Sequence, residues 1–247
     1  MSKGPPTLRL DRLLANLGYG TRREVQRLIW TGLVTLDGEV LQDNDARIAI
    51  TADLTARIQV DDEPLDPPPG FCLMLHKPIG VTCSHKEAGP LVYSLLPERW
   101  RRRDPAISTV GRLDKETSGL LLMTDDGALL HKIISPRHHV AKRYDVTLDR
   151  PLRGGEEAIF ASGELMLDGE EKPLLPAQLE VISPTRAYVT VTEGRYHQVR
   201  RMFAAVGNHV TALHRDRVGS LALPADLQPG QYRVLNDADI SLVLAPR

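Results

Sequence analysis

Residues 10–41 read LDRLLANLGYGTRREVQRLIWTGLVTLDGEVL, and their spacing decides the architecture of the first part of the chain. Leu10, Leu13, Leu14 and Leu17 recur at helical spacing, and Gly18 and Gly20 follow where such a helix stops. Thr21 and Glu24 then form a T-x-x-E capping box, after which Val25, Leu28 and Ile29 carry an apolar stripe to Gly32. Residues 33–36 and 40–41 flank Asp37-Gly38, a turn dipeptide that joins short antiparallel strands. The pattern predicts two short helices followed by a hairpin. Arg23 and Arg27, four residues apart, share one face of the second helix.

Downstream, residues 61–70 (DDEPLDPPPG) are acidic and proline-rich, a composition expected to be extended, poorly packed and semi-rigid. This sets a first domain at 7–66, a linker at 67–70 and a second domain at 71–247, and a chain beginning near Pro69 is expected to fold on its own core. In that second domain, strand-like runs at 71–75, 107–110, 120–124, 144–148, 179–182 and 187–192 alternate with helical stretches. Val199, Met202, Phe203 and Val206 form a further helical stripe. The order of elements suits an α+β domain with a mixed, largely antiparallel sheet and flanking helices.

Composition bounds the function. A length of 247 residues supports two domains, and 42% hydrophobic with 26% charged residues is ordinary for a soluble globular chain. No apolar run approaches the roughly 20 residues a membrane span requires. The opening MSKGPPTLRLDR lacks the apolar core of a signal peptide, so a cytoplasmic location is expected. Cys72 and Cys83 fit neither a disulfide framework nor a zinc site and read as ordinary thiols.

The net charge of −1 argues against a protein that coats nucleic acid indiscriminately, but arginines cluster locally. One group is Arg9, Arg12, Arg22, Arg23 and Arg27, a second Arg99 and 101–103, a third Arg195, Arg200, Arg201, Arg215 and Arg217. Of 31 cationic side chains 24 are Arg, whose planar fork pairs with phosphate and stacks on bases. Solvated faces are the plainer reading of each cluster taken singly.

The segment with the most chemical content is 111–124, GRLDKETSGLLLMT. A strand-like run enters, a glycine-bounded turn carries Asp114 between basic residues, and an apolar strand leaves. Reactive groups usually sit on such loops, though Asp114 alone would equally cap a turn. The chain has no Gly-rich phosphate loop and no dinucleotide fingerprint, and the spacings of His138, His139, His197 and His214 match no metal-ligand pattern. No metal and no cofactor is expected.

Three segments change the weight of Asp114. G-R-L-D-x-x-T/S-G-L resembles the catalytic motif of the pseudouridine synthases, residues 71–80 with Lys77-Pro78 resemble their first motif, and 193–203 (EGRYHQVRRMF) resemble a third. Lys142-Arg143-Tyr144 resembles the segment carrying that family's active-site tyrosine, and 7–66 resembles an S4 RNA-binding domain. Residues 135–139 and 204–215 look especially like the branch acting on small-subunit (16S) ribosomal RNA. One departure is His76, where the first motif more often has asparagine.

The resemblance implies an isomerase that detaches uracil from C1′ of its ribose, turns it and rejoins it through C5. It implies Asp114 as the catalytic carboxylate, Arg200 paired with it, and Tyr144 against the uracil, where its ring stacks and its phenol assists proton transfer at C5. Sequence does not decide whether Asp114 acts as nucleophile or as the base that starts an elimination. Candidate RNA contacts are Arg12, Arg22, Arg23 and Arg27 in the first domain and Arg112, Arg195 and Arg201 in the second, with Arg112 the wedge for the space an extruded base vacates. The expected partner is ribosomal RNA or a small-subunit assembly intermediate, met by a monomer with no membrane association. Competing readings are a synthase for large-subunit (23S) ribosomal RNA and a non-catalytic RNA-binding assembly factor. A glycosidase would need a second carboxylate, for which Glu116 or Asp125 are unsupported candidates.

Overall fold

A computed structural model describes residues 4–84, 86 and 88–245. The chain forms two compact units: one runs to Phe71 and includes Leu96–Ser108, the other contains Cys72–Leu95 and continues from Thr109.

In the first unit, β1 (Thr7–Arg9) leads into α1 (Leu10–Asn16) and α2 (Arg22–Trp30). Both halves of the predicted capping box form, the Glu24 amide donating to the Thr21 hydroxyl and the Thr21 amide to the Glu24 carboxylate. β2 (Val34–Leu36) and β3 (Glu39–Val40) pair antiparallel across Asp37 and Gly38, whose φ angles of 51° and 86° suit the tight turn. Next come β4 (Arg47–Ala49), α3 (Leu54–Arg57), β5 (Ile58–Val60) and β6 (Glu63–Pro64). β4 pairs with β1, and the other strands form a sheet in the order β3-β2-β5-β6. Leu10, Leu13, Leu14, Leu17, Val25 and Ile29 are fully buried in one core, as their spacing predicted.

Asp11 is buried beside this core and accepts from Arg9, Arg22 and Gln26. Burial pushes its carboxyl up, but those donors outweigh burial and hold it down at about 2. Arg22 is therefore partly a structural residue, though it is exposed, as are Arg12, Arg23 and Arg27.

The linker differs from its expected loose packing. Glu63–Pro64 pairs with β5, Leu65 is buried, and Asp66 accepts a two-pronged bond from Arg99 at 2.6 and 3.0 Å. The Arg103 guanidinium donates to the Pro67 carbonyl, Trp100 meets Phe71 edge to face, and the Asp104 amide donates to the Asn16 carbonyl. Arginines thirty residues downstream supply the partners that the acidic, proline-rich segment lacks locally. A chain starting near Pro69 would lack the partners of Arg99, Arg103 and the Asp104 amide.

The second unit contains β7 (Cys72–Lys77), and β8 (Ser108–Thr109) marks the chain's return to it. β9 (Thr117–Thr124), α4 (Gly127–Ile134), β10 (Lys142–Leu148), α5 (Glu156–Ala161), β11 (Gln178–Ser183) and β12 (Arg186–Val191) follow. The chain continues through α6 (Gln198–Ala205), β13 (Val210–Val218), β14 (Leu221–Ala222), β15 (Tyr232–Val234) and α7 (Asp237–Leu244). The sheet runs β11-β12-β10-β13-β9-β7-β15, antiparallel along this path except where β13 and β9 run parallel. This is the mixed, largely antiparallel α+β fold expected. At the β13–β9 step Gly119 sits at φ 112°, and a Cβ there would come within 2.2 Å of the Arg215 carbonyl oxygen. Only glycine permits that approach. Among the described residues, no helix is long and apolar enough to cross a membrane.

Candidate active site

The loop before β9 carries Asp114 into a cavity of about 410 Å³ that is also lined by Arg112, Lys142, Tyr144, His197 and Arg215. That volume is within the usual range for a small-ligand site. The loop is held from two sides. Lys77, the last residue of β7, is fully buried, and its ammonium donates to the carbonyls of Pro78, Asp114, Lys115 and Thr117 at 2.8–3.4 Å. Arg200, on the first turn of α6, donates to the carbonyls of Glu116 and Val210, both at 2.9 Å. A buried cation shared among carbonyls fixes backbone as firmly as a cap does.

The resemblance implies a pairing of Arg200 with Asp114, whereas in the structure Arg200 bonds to those two carbonyls. Instead His197 faces the carboxylate, its Nε2 3.4 Å from Asp114 Oδ1. His197 adopts a left-handed backbone with φ 47° and its ring stacks on Tyr196, centroids 3.9 Å apart. A non-glycine residue in that conformation is uncommon and tends to mark a functional position.

Tyr144 and Lys142 are two apart on β10 and so share its cavity face. Across the strand pair, buried Arg215 donates from Nε to the Leu120 carbonyl, and its Nη1 stands 3.5 Å from the Tyr144 hydroxyl. Lys142 donates to the Val140 carbonyl at 2.9 Å. Burial and, second, Arg215 push its ammonium down to about 8. On the opposite face, His214 accepts or donates at 2.9 Å to Ser118 and meets His76 edge to face. Burial, then His76, lower the His214 imidazole below its ordinary value.

Among the candidate RNA contacts, Arg112 is exposed at the cavity. Arg195 and Arg201 are bonded within the fold. Arg195 donates to Glu193, Glu170 and the Lys172 and Pro173 carbonyls. Arg201 donates to Glu170 and to the Asp168 and Tyr196 carbonyls. Together they clip the 168–173 segment to the start of α6. Asp114, Tyr144 and Arg112, singled out in the sequence, come together at this cavity, where Lys77, Lys142, His197 and Arg215 join them without having been expected at the active site. The one signal for Lys77 was a lysine ending an otherwise apolar strand.

Comparison with known proteins accords with this geometry. The family model for RNA pseudouridylate synthases matches residues 72–205, and the S4 domain model matches residues 8–50. Ribosomal small subunit pseudouridine synthase A of Escherichia coli strain K12 is 42% identical over 96% of this chain and 100% of its own length. The protein of that name from Vibrio cholerae is 39% identical over 96% of this chain and 99% of its own. A crystal structure of a pseudouridylate synthase superimposes with a TM-score of 0.66 at 37% identity, covering 96% of this chain and 99% of that one. A synthase model matched over 72–205 and near full-length relatives at 39–42% identity place the chain in the RNA pseudouridylate synthase family.

Proposed function

We propose that this enzyme converts a specific uridine of small-subunit ribosomal RNA to pseudouridine. The observation that carries the reading is near full-length similarity to two relatives named for that subunit, joined to an Asp114 loop that opens on a nucleoside-sized cavity. Asp114 acts on the ribose C1′ or the uracil to release the glycosidic bond. Tyr144 stacks on the freed base, and its ring has the cavity face for that contact. Arg200 and Lys77 act one step back, as positioning residues that hold the Asp114 loop in shape.

A paired uridine must be extruded before it meets Asp114, at a cost of a few kcal/mol in lost stacking and pairing. Exposed Arg112 is suited to fill the vacated space. Arg12, Arg23 and Arg27 give the first unit a phosphate-binding face, and the protein works as a cytoplasmic monomer on ribosomal RNA or an assembly intermediate. Replacing Arg23 and Arg27 by Ala is expected to weaken RNA binding and to flatten its salt dependence by about 0.7–0.9 in log–log slope for each phosphate no longer neutralised. Filter binding across a salt series checks this, and an unchanged slope removes that face from the RNA interface.

The function itself is tested by incubating the purified chain with small- and large-subunit ribosomal RNA transcripts and mapping pseudouridine base by base. One new site in the small-subunit RNA is expected. Conversion confined to the large-subunit RNA would reassign the target, and conversion of neither would leave a binding protein.

A further inference from the structure

In the first unit, α2 buries one side and leaves the other to solvent. Val25 and Ile29 are fully buried in the core, whereas Trp30, the last residue of the helix, is 75% exposed. At about 100° per residue, Arg23, Arg27 and Trp30 fall within about 60° of one another and roughly opposite Val25 and Ile29. Arg27 lies one turn before Trp30, and Arg23 one turn before that. The three side chains therefore form a single exposed stripe.

Nothing in the fold occupies this stripe. Among the described residues, Arg23 and Arg27 form no ion pair, and no ring or guanidinium packs on the indole. Beyond the helix end the exposed apolar surface continues. Gly32, at φ 78°, turns the chain, and Leu33 and Val40 of the hairpin that follows are also exposed. Val40 Cγ1 lies 3.5 Å from where a Gly32 Cβ would stand, so the hairpin edge sits against the end of α2.

Two arginines without carboxylates of their own call for an anionic partner. RNA supplies in one ligand both the anions and flat faces for a ring. Proteins hold single-stranded nucleic acid by this pairing, with cations along the backbone and an aromatic side chain against the π-face of a base. A base within a duplex is stacked on both sides and offers only its edges. An indole can therefore stack only on a base in a loop, a bulge or an end.

We propose that Trp30 stacks on an unpaired base of the RNA whose neighbouring phosphates Arg23 and Arg27 neutralise, so that the first unit favours single-stranded segments over stems. This rests on the reading of that face as a phosphate-binding surface, and different variants test the two.

The full-length protein is titrated with a short single-stranded RNA of mixed sequence and with the blunt duplex it forms with its complement. Trp30→Ala is expected to bind the single strand about 5-fold or more weakly, the cost of losing one base–aromatic stack, with duplex binding little changed. Its salt dependence should match wild type, because no phosphate contact is lost. Trp30→Phe keeps a ring and should recover most of the loss, which a disturbed helix end would not allow. Fluorescence supplies a readout independent of affinity. Trp100, the other tryptophan, is buried, so emission from the exposed indole should be quenched by the single strand and not by the duplex, and Trp30→Phe should show no such quenching. If Arg23→Ala with Arg27→Ala keeps the wild-type salt slope while Trp30→Ala still weakens single-strand binding, the phosphate face falls and the stack stands. Wild-type affinity of Trp30→Ala for the single strand overturns the proposal and leaves the indole to a protein partner. An equal loss for single strand and duplex overturns it as well.

Discussion

Asp114→Asn is expected to abolish pseudouridine formation, by on the order of 10⁴-fold or more, while RNA affinity stays within a few-fold. The amide matches the carboxylate in shape and keeps an oxygen toward His197, whose Nε2 lies 3.4 Å from Asp114 Oδ1. The bonds that hold the loop use the backbone carbonyl of residue 114, which accepts from the Lys77 ammonium and the Thr117 amide and is untouched by the substitution. What disappears is the negative charge and lone pair that attack C1′ or take a proton. Single-turnover conversion beside equilibrium binding checks the split. Retained conversion would remove Asp114 from the mechanism, and a collapse of binding would show that the carboxylate shapes the site rather than serving the chemistry.

Lys77→Met carries the second large effect, on stability and turnover together. The thioether fills much of the lysine's space, but the carbonyls of Pro78, Asp114, Lys115 and Thr117 lose their shared donor inside the protein. Relief from burying an ammonium offsets part of this loss. The balance is a destabilisation on the order of 3 kcal/mol, from the Pro78 and Thr117 carbonyls, since those of Lys115 and Asp114 keep the Gly80 and Thr117 amides. In a chain of this size that corresponds to a melting temperature roughly 6–12 °C lower. The folded fraction is expected to turn over about 10²-fold more slowly, because an ångström-scale shift of Asp114 is enough to spoil its alignment. Melting curves and single-turnover rates on the folded protein check both. Wild-type turnover would mean the loop holds its shape without Lys77.

Much of this was legible in the sequence where local rules dominate. The leucine spacing, the Thr21 capping box and the Asp37-Gly38 turn each produced the element they specify, since helix caps and tight turns are set by neighbours along the chain. Asp114 stood out through the likeness of its segment to a family motif, since an aspartate in a glycine-bounded turn equally caps that turn. β13 was not legible. Its run Val210–Val218 contains His214, Arg215, Asp216 and Arg217 yet lies inside the sheet, where Ser118, Leu120 and Arg143 bond to His214, Arg215 and Asp216 in turn. No strand alternation survives when partners distant in sequence decide which polar residues are tolerated.

The same reason hid the membership of Leu96–Ser108 in the first unit. Its arginines read as a free basic cluster, but Arg99 and Arg103 are spent on Asp66 and Pro67, leaving Arg101 and Arg102 exposed. Arg195 and Arg201 repeat the lesson, since guanidinium groups counted as phosphate ligands from sequence are already bonded in the fold to Glu170. Lys77 is the inverse case: a charged residue at a strand end suggests the surface, and only the returning loop makes it the buried anchor of the site.

The central claim is that the Asp114 loop isomerises one uridine of small-subunit ribosomal RNA. The most direct measurement maps pseudouridine across all ribosomal RNA in cells lacking the gene and complemented with either the wild-type chain or Asp114→Asn. The account predicts one small-subunit site that vanishes with the gene, returns with the wild type and stays absent with the variant. A map unchanged by loss of the gene, or a site restored equally by Asp114→Asn, would contradict it.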